Sequence, residues 1–267
     1  PSQTNILSPA QTAEDQTDVP VFRMLGADPI YQYDWYLRDC MGIVTMEPSL
    51  SLWGKPGGGY QKDWIEWFFR ENYNDATGIP FAYVQVGQEN SFGWDSMQAG
   101  LALQGEKIAA LRDMGQIETL TLAQTGEWFR KQYAITPALS QVALSDWHGE
   151  GQKSVWYNSS RYRVNLFMQG ETLAVRDCHI FDENYPERYL HAVCDTHACM
   201  FDTLPLWDGL RQSKGGASAL LRFADNSGAP LAVKRFVYTQ EGDTGVCTAQ
   251  TDCDTLTVEC YPAKIRM

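Results

Sequence analysis

Arg161-Tyr162-Arg163-Val164-Asn165-Leu166-Phe167 alternates polar and apolar side chains almost without interruption. Successive side chains of a strand point to opposite faces, so this stretch reads as an antiparallel strand with one face on a core. Leu173-Ala174-Val175-Arg176-Asp177 continues the pattern, and further runs at 219–223, 231–238 and 255–261 are broken by Asn226-Ser227-Gly228 and Glu241-Gly242-Asp243. Those breaks have the composition of turns. Residues 154–267 are therefore predicted to form an antiparallel β-sandwich region.

Upstream the grammar changes. Short apolar runs at 21–25, 42–46, 81–86 and 117–120 alternate with helical patterns. Trp64, Trp67 and Phe68 stand at i, i+3 and i+4 within 60–73, and Leu101, Ile108 and Leu111 recur within 97–114 ahead of Gly115 as a C-cap. Leu122, Trp128 and Phe129 mark a third helix over 121–133. Strand and helix in alternation predict about four βα units on a parallel sheet, a partial (β/α) barrel over 21–153. The predicted class is thus α/β plus β. Residues 1–20, polar and punctuated by proline, read as an arm or linker.

Composition narrows the function. The chain has 267 residues, 44% of them hydrophobic, which is enough for a sizeable core and excludes a disordered or collagen-like chain. Thirty-three acidic against 21 basic residues argue against a nucleic-acid partner, which requires a basic footprint. No uncharged apolar run reaches the roughly 18 residues of a membrane span. Nine Trp, 13 Tyr and 11 Phe supply flat rings that fill cores and also stack on sugars. The seven cysteines do not form the even set of a small disulfide scaffold. His191, Cys194, His197 and Cys199 have zinc-ligand chemistry, but a strand would turn Cys194 away from the other three, so no metal is assigned. No cofactor or compartment is assigned either.

In parallel α/β folds, chemistry collects beyond the carboxyl ends of the strands. Asp28 follows the first run and Glu47 the second. After the third, Gly87-Gln88-Glu89-Asn90-Ser91-Phe92-Gly93-Trp94 crowds polar groups and rings into eight positions. Paired carboxylates beside aromatics are what glycoside hydrolysis needs, one as acid and one as nucleophile or base. Glu47 and Glu89 are the expected catalytic pair, and Asp28, Tyr31, Gln88, Asn90, Phe92, Trp94, Asp146, Trp147 and His148 the expected sugar contacts. Each has a structural alternative: Asp28 as a turn residue, Glu47 in a rim ion pair, Asn90 or Ser91 as an N-cap with Glu89 facing water, and His148 as a hydrogen-bonded surface group. Gly57, Gly58 and Gly59 lack a phosphate-loop pattern and read as a flexible loop over the strand ends. A non-catalytic carbohydrate-binding or interaction module using the same aromatics is the other reading.

The order of Asp28-Pro29-Ile30, Thr45-Met46-Glu47-Pro48, the segment 87–94, Glu127-Trp128-Phe129 and Val155-Trp156-Tyr157-Asn158 resembles the C-terminal part of large bacterial glycoside-hydrolase-like proteins. In these, the end of a deacetylase-like (β/α) barrel runs into a β-sandwich. The resemblance spans roughly residues 21–210. It implies a carbohydrate ligand and an absent amino-terminal half barrel, which in related metal-dependent enzymes carries the metal-binding His and Asp residues. Four parallel strands would leave open edges, so an upstream domain, a second chain or self-association is expected to complete the barrel, unless the β-rich half folds back over it.

Overall fold

The computed structural model describes residues 28–31, 46–51, 54–74, 78, 81, 86, 92–134, 136–182, 192–193, 195, 204–212 and 219–267. Among the described residues, ten strands form two antiparallel sheets. The first has the order β1 (Leu139–Ala143), β2 (Lys153–Asn158), β3 (Tyr162–Gln169), β4 (Thr172–Ile180) and β5 (Leu204–Asp208), with β6 (Leu221–Arg222) also paired to β4. The second has β7 (Arg235–Glu241), β8 (Thr244–Gln250), β9 (Thr255–Tyr261) and β10 (Lys264–Arg266), in the order β10-β9-β8-β7. Their facing sides share one core. Val155, Tyr157, Val164, Leu166 and Leu173 from the first sheet meet Phe236, Tyr238, Cys247, Ala249 and Val258 from the second. The Tyr162 hydroxyl donates to the Tyr261 carbonyl at 2.7 Å and the Tyr157 hydroxyl to the Asp243 carbonyl at 2.6 Å, so two tyrosines pin the sheets together as well as filling the space.

The predicted α/β class is overturned by this architecture. Every strand pair among the described residues is antiparallel, and no barrel closes. The run at 117–120 forms no strand. Only Ile117 is partly buried there, while Glu118, Thr119 and Leu120 face solvent, and a central parallel strand must be covered on both faces. The runs at 21–25, 42–45 and 82–85 lie outside the described residues. The antiparallel sheet also starts at Leu139, upstream of the change in sequence pattern at 154.

Helices form where the periodicity places them. These are α1 (Lys62–Phe69), followed by a π turn at Arg70–Asn74, then α2 (Trp94–Asp113) and α3 (Leu122–Gln132), while a short α4 (Gly209–Gln212) lies where no periodicity placed it. Trp64, Trp67, Phe68 and Phe69 of α1 are buried in a second core with Met46 and Leu111. Gly115, at φ 69°, ends α2 by receiving the chain into the left-handed region, and the Gln116 amide bonds back to the Leu111 carbonyl at 2.9 Å. Thr121 starts α3 with a capping box to Gln124. No helix among the described residues is long and apolar enough to cross a membrane.

Gly57, Gly58 and Gly59 correct a further expectation. They are buried and packed, not a flexible cover. A Cβ at Gly57 would stand 2.1 Å from the Glu47 carbonyl oxygen, and one at Gly59 2.1 Å from that of Met46. Gly100 of α2 closes on the same segment from the other side, where a Cβ would meet the Pro48 carbonyl oxygen at 2.3 Å. Glycine is required here because three backbones approach to contact distance.

Candidate functional site

The alternation in β3 separates two buried faces, not a buried face from a wet one. Val164 and Leu166 point into the inter-sheet core, yet Arg163, Asn165 and Phe167 on the opposite, outer face are buried too. A β-bulge sets the outer face. Asn165 pairs with Asp177 and Leu166 with Val175, so Arg176 is the extra residue, and Arg176 and Asp177 both serve the polar side.

Arg176 docks the segment 28–31 onto that face. Its Nε donates to Asn165 Oδ1 at 2.7 Å, Nη1 to the Ile30 carbonyl at 2.7 Å and Nη2 to the Pro29 carbonyl at 3.3 Å. The guanidinium lies 4.0 Å from the Phe167 ring centroid. The Trp156 indole N–H adds a bond to the Pro29 carbonyl at 2.9 Å, and Asn165 is itself fixed by Ser154 Oγ at 2.8 Å. A rigid fork of donors is well suited to gripping two successive carbonyls.

Asp28 is carried in by this docking. Its Oδ1 accepts the Ile30 and Tyr31 amides at 2.9 and 3.2 Å, an Asx turn, while Oδ2 has no hydrogen-bond partner among the described residues. The residue is 1% exposed. Burial pushes its carboxyl up from 3.8 to about 6, helped by the charge of Asp146 and opposed by the two amides and Arg176. The turn reading of Asp28 is thus correct and incomplete, because half of the carboxyl is left over.

The loop between β1 and β2 stands beside it. Asp146 organises that loop: Oδ1 accepts the His148 amide at 2.9 Å, and Oδ2 accepts the Glu150 amide at 3.0 Å, the Gln152 amide at 3.2 Å and the Tyr31 hydroxyl at 2.9 Å. Tyr31 also reaches Glu150 Oε2 at 3.1 Å, and its ring meets His148 edge-on at 4.3 Å. Trp147 packs against His148 and the helical core. Gly149 and Gly151, at φ 73° and 72°, allow the sharp turns that bring these side chains together. Trp147 and His148 are half-buried and Glu150 is exposed, so a ring, an imidazole and a carboxylate share the rim.

Five expected sugar contacts, Asp28, Tyr31, Asp146, Trp147 and His148, are therefore assembled in one place. Glu47 is buried in the packed segment between the glycine turn and α2. Trp94 opens α2 and is exposed, with Phe92 partly buried two residues earlier. Gln88, Glu89 and Asn90 lie outside the described residues, as do His191, Cys194, His197 and Cys199.

Sequence reading missed a second group on the same outer face. Asp177 is gripped by Arg163, with Nε to Oδ1 at 2.8 Å and Nη2 to Oδ2 at 3.0 Å. His179 Nε2 stands 3.2 Å from Asp177 Oδ2 and 3.5 Å from Asp208 Oδ2. Burial pulls the His179 imidazole pKa down, but the two carboxylates outweigh it and the net displacement is upward. Asp177-Cys178-His179 carried the signal, since alternation puts its first and third residues on one face. Asp208 faces Asp177 directly across the β4–β5 ladder, a pairing that no sequence spacing announces.

No family model, curated protein or solved structure matches the chain. What these residues do follows from their own chemistry.

Proposed function

We propose that the chain is a carbohydrate-active protein, with the loop 146–152, held from beneath by the buried Tyr31, as its sugar-facing surface and hydrolysis of a glycosidic bond as its reaction. The carrying observation is Asp28, a buried carboxyl raised to about 6 with one oxygen lacking a hydrogen-bond partner among the described residues, close enough to Asp146 to feel its charge. A carboxyl that holds its proton up to about pH 6, among other carboxyl groups in different surroundings, is the arrangement that acid-assisted glycoside cleavage uses. Half-buried Trp147 and His148 and exposed Glu150 are of the types that stack on a pyranose and accept from its hydroxyls. This gives the acid role to Asp28 in place of one member of the expected pair Glu47 and Glu89.

The test is hydrolysis of a glycan panel by the full chain and by Asp28→Asn. Reducing ends should be released by the parent chain and not by the variant, with binding retained by both. One observation favours a second reading, non-catalytic binding by the same rim: Asp28 is closed to solvent. In that case both proteins bind sugar and neither hydrolyses it.

A further inference from the structure

Asp177 and His179 of β4 and Asp208 of β5 each present one ligand atom, and the three atoms lie within 4.8 Å of one another. Two atoms each about 2.1 Å from a shared ion, at angles between roughly 90° and 110°, stand about 3.0–3.4 Å apart. Of the separations from His179 Nε2 to the two carboxylate oxygens, 3.2 Å falls within that interval and 3.5 Å just beyond it. The His179 side chain is only 3% exposed, and Nε2, aimed at both carboxylates, has no hydrogen bond of ordinary geometry among the described residues. A nitrogen that donated to either oxygen would have to point its N–H along the line between them.

Arg163 completes the argument. Its guanidinium takes Oδ1 and one lone pair of Asp177 Oδ2, leaving the second lone pair of Oδ2 toward His179. Ligating carboxylates are commonly held in this way by an outer partner.

We infer that Asp177, His179 and Asp208 form a binding site for one divalent first-row transition-metal ion. One imidazole nitrogen and two carboxylate oxygens suit zinc, manganese, iron or cobalt. Three protein ligands leave coordination positions open, as in sites that take a water or a substrate oxygen and unlike closed structural sites. The inference goes beyond the sugar reading and stands whether or not Asp28 takes part in hydrolysis.

The probe is Co²⁺ or Zn²⁺ alone, added to the chelator-stripped full chain and followed by calorimetry and visible absorption. One ion per chain is expected at micromolar or tighter affinity, with cobalt bands free of thiolate charge transfer. Asp208→Asn and His179→Gln should each weaken binding at least 100-fold, while His148→Ala leaves it unchanged. Far-ultraviolet circular dichroism of Asp208→Asn, an isosteric change near the surface, should match the parent. Binding weaker than about 100 µM, variants that bind like the parent, or a thiolate band, which would place the ion on the cysteines, each overturns the inference.

Discussion

Replacing Asp28 by Asn should make the protein more stable, and by an amount that depends on pH. The folded-state pKa is raised from 3.8 to about 6, chiefly by burial. The native chain therefore holds this proton more tightly than the unfolded chain does. The stabilisation linked to it is fully present below 3.8, is lost as pH rises through the interval to about 6, and stays lost above it. At about 1.4 kcal/mol per pH unit, the full loss is roughly 3 kcal/mol at pH 8 and about 1 kcal/mol at pH 4.5. Asn keeps the Oδ1 acceptor for the Ile30 and Tyr31 amides and cannot ionise. The stability difference between Asp28→Asn and the parent should thus grow by about 2 kcal/mol between those pH values, whatever constant the amide adds. Urea unfolding of both proteins at a series of pH values reads this directly, with equal m-values as the control. A difference flat with pH, or an Asn variant that loses stability toward alkaline pH, would refute the buried, proton-holding carboxyl.

Two glycines of one helix should respond in opposite directions to Ala. Gly105 has open space and should gain about 1 kcal/mol, whereas Gly100, whose Cβ would meet the Pro48 carbonyl at 2.3 Å, should lose several, as thermal melts would show. Arg176→Lys keeps the charge but loses the fork that holds Pro29 and Ile30, and urea midpoints should report a loss of about 2–4 kcal/mol. Burial pushes the Cys178 thiol up to about 11 and those of Cys247 and Cys260 to about 12. These three should resist maleimide at pH 8 until the chain unfolds, while exposed Cys253 labels at once, which peptide mass mapping would resolve.

The β-rich half and three of the helices are legible because alternation and helical spacing are local signals. Arg161 to Phe167 marks a strand, Gly115 and Thr121 mark helix ends, and all appear where the pattern puts them. Among the described residues no parallel pairing appears. Alternating apolar runs and helices say nothing of strand direction, and Ile117 shows that a four-residue apolar run can simply rest one side chain on a helical core. The alternation of β3 also hides what lies on its polar face. Arg163 and Asn165 look like solvent-facing residues, but Pro29 and Ile30, more than 130 positions earlier, cover the sheet beside them through Arg176. For the same reason, the grouping of Asp28 and Tyr31 with Asp146 and His148 is visible in residue type, not in spacing. Asp177, His179 and Asp208 are joined by a strand register that no sequence motif encodes.

The most direct test of the sugar-facing surface is a set of amide and indole chemical-shift spectra of the full chain as glycans are added. Shifts concentrated on Tyr31, the Trp147 indole, His148 and Glu150, with the second sheet unmoved, are the result expected. A glycan that binds but moves only Trp94 and the residues around it, or a broad panel that moves nothing in the loop 146–152, would contradict the account.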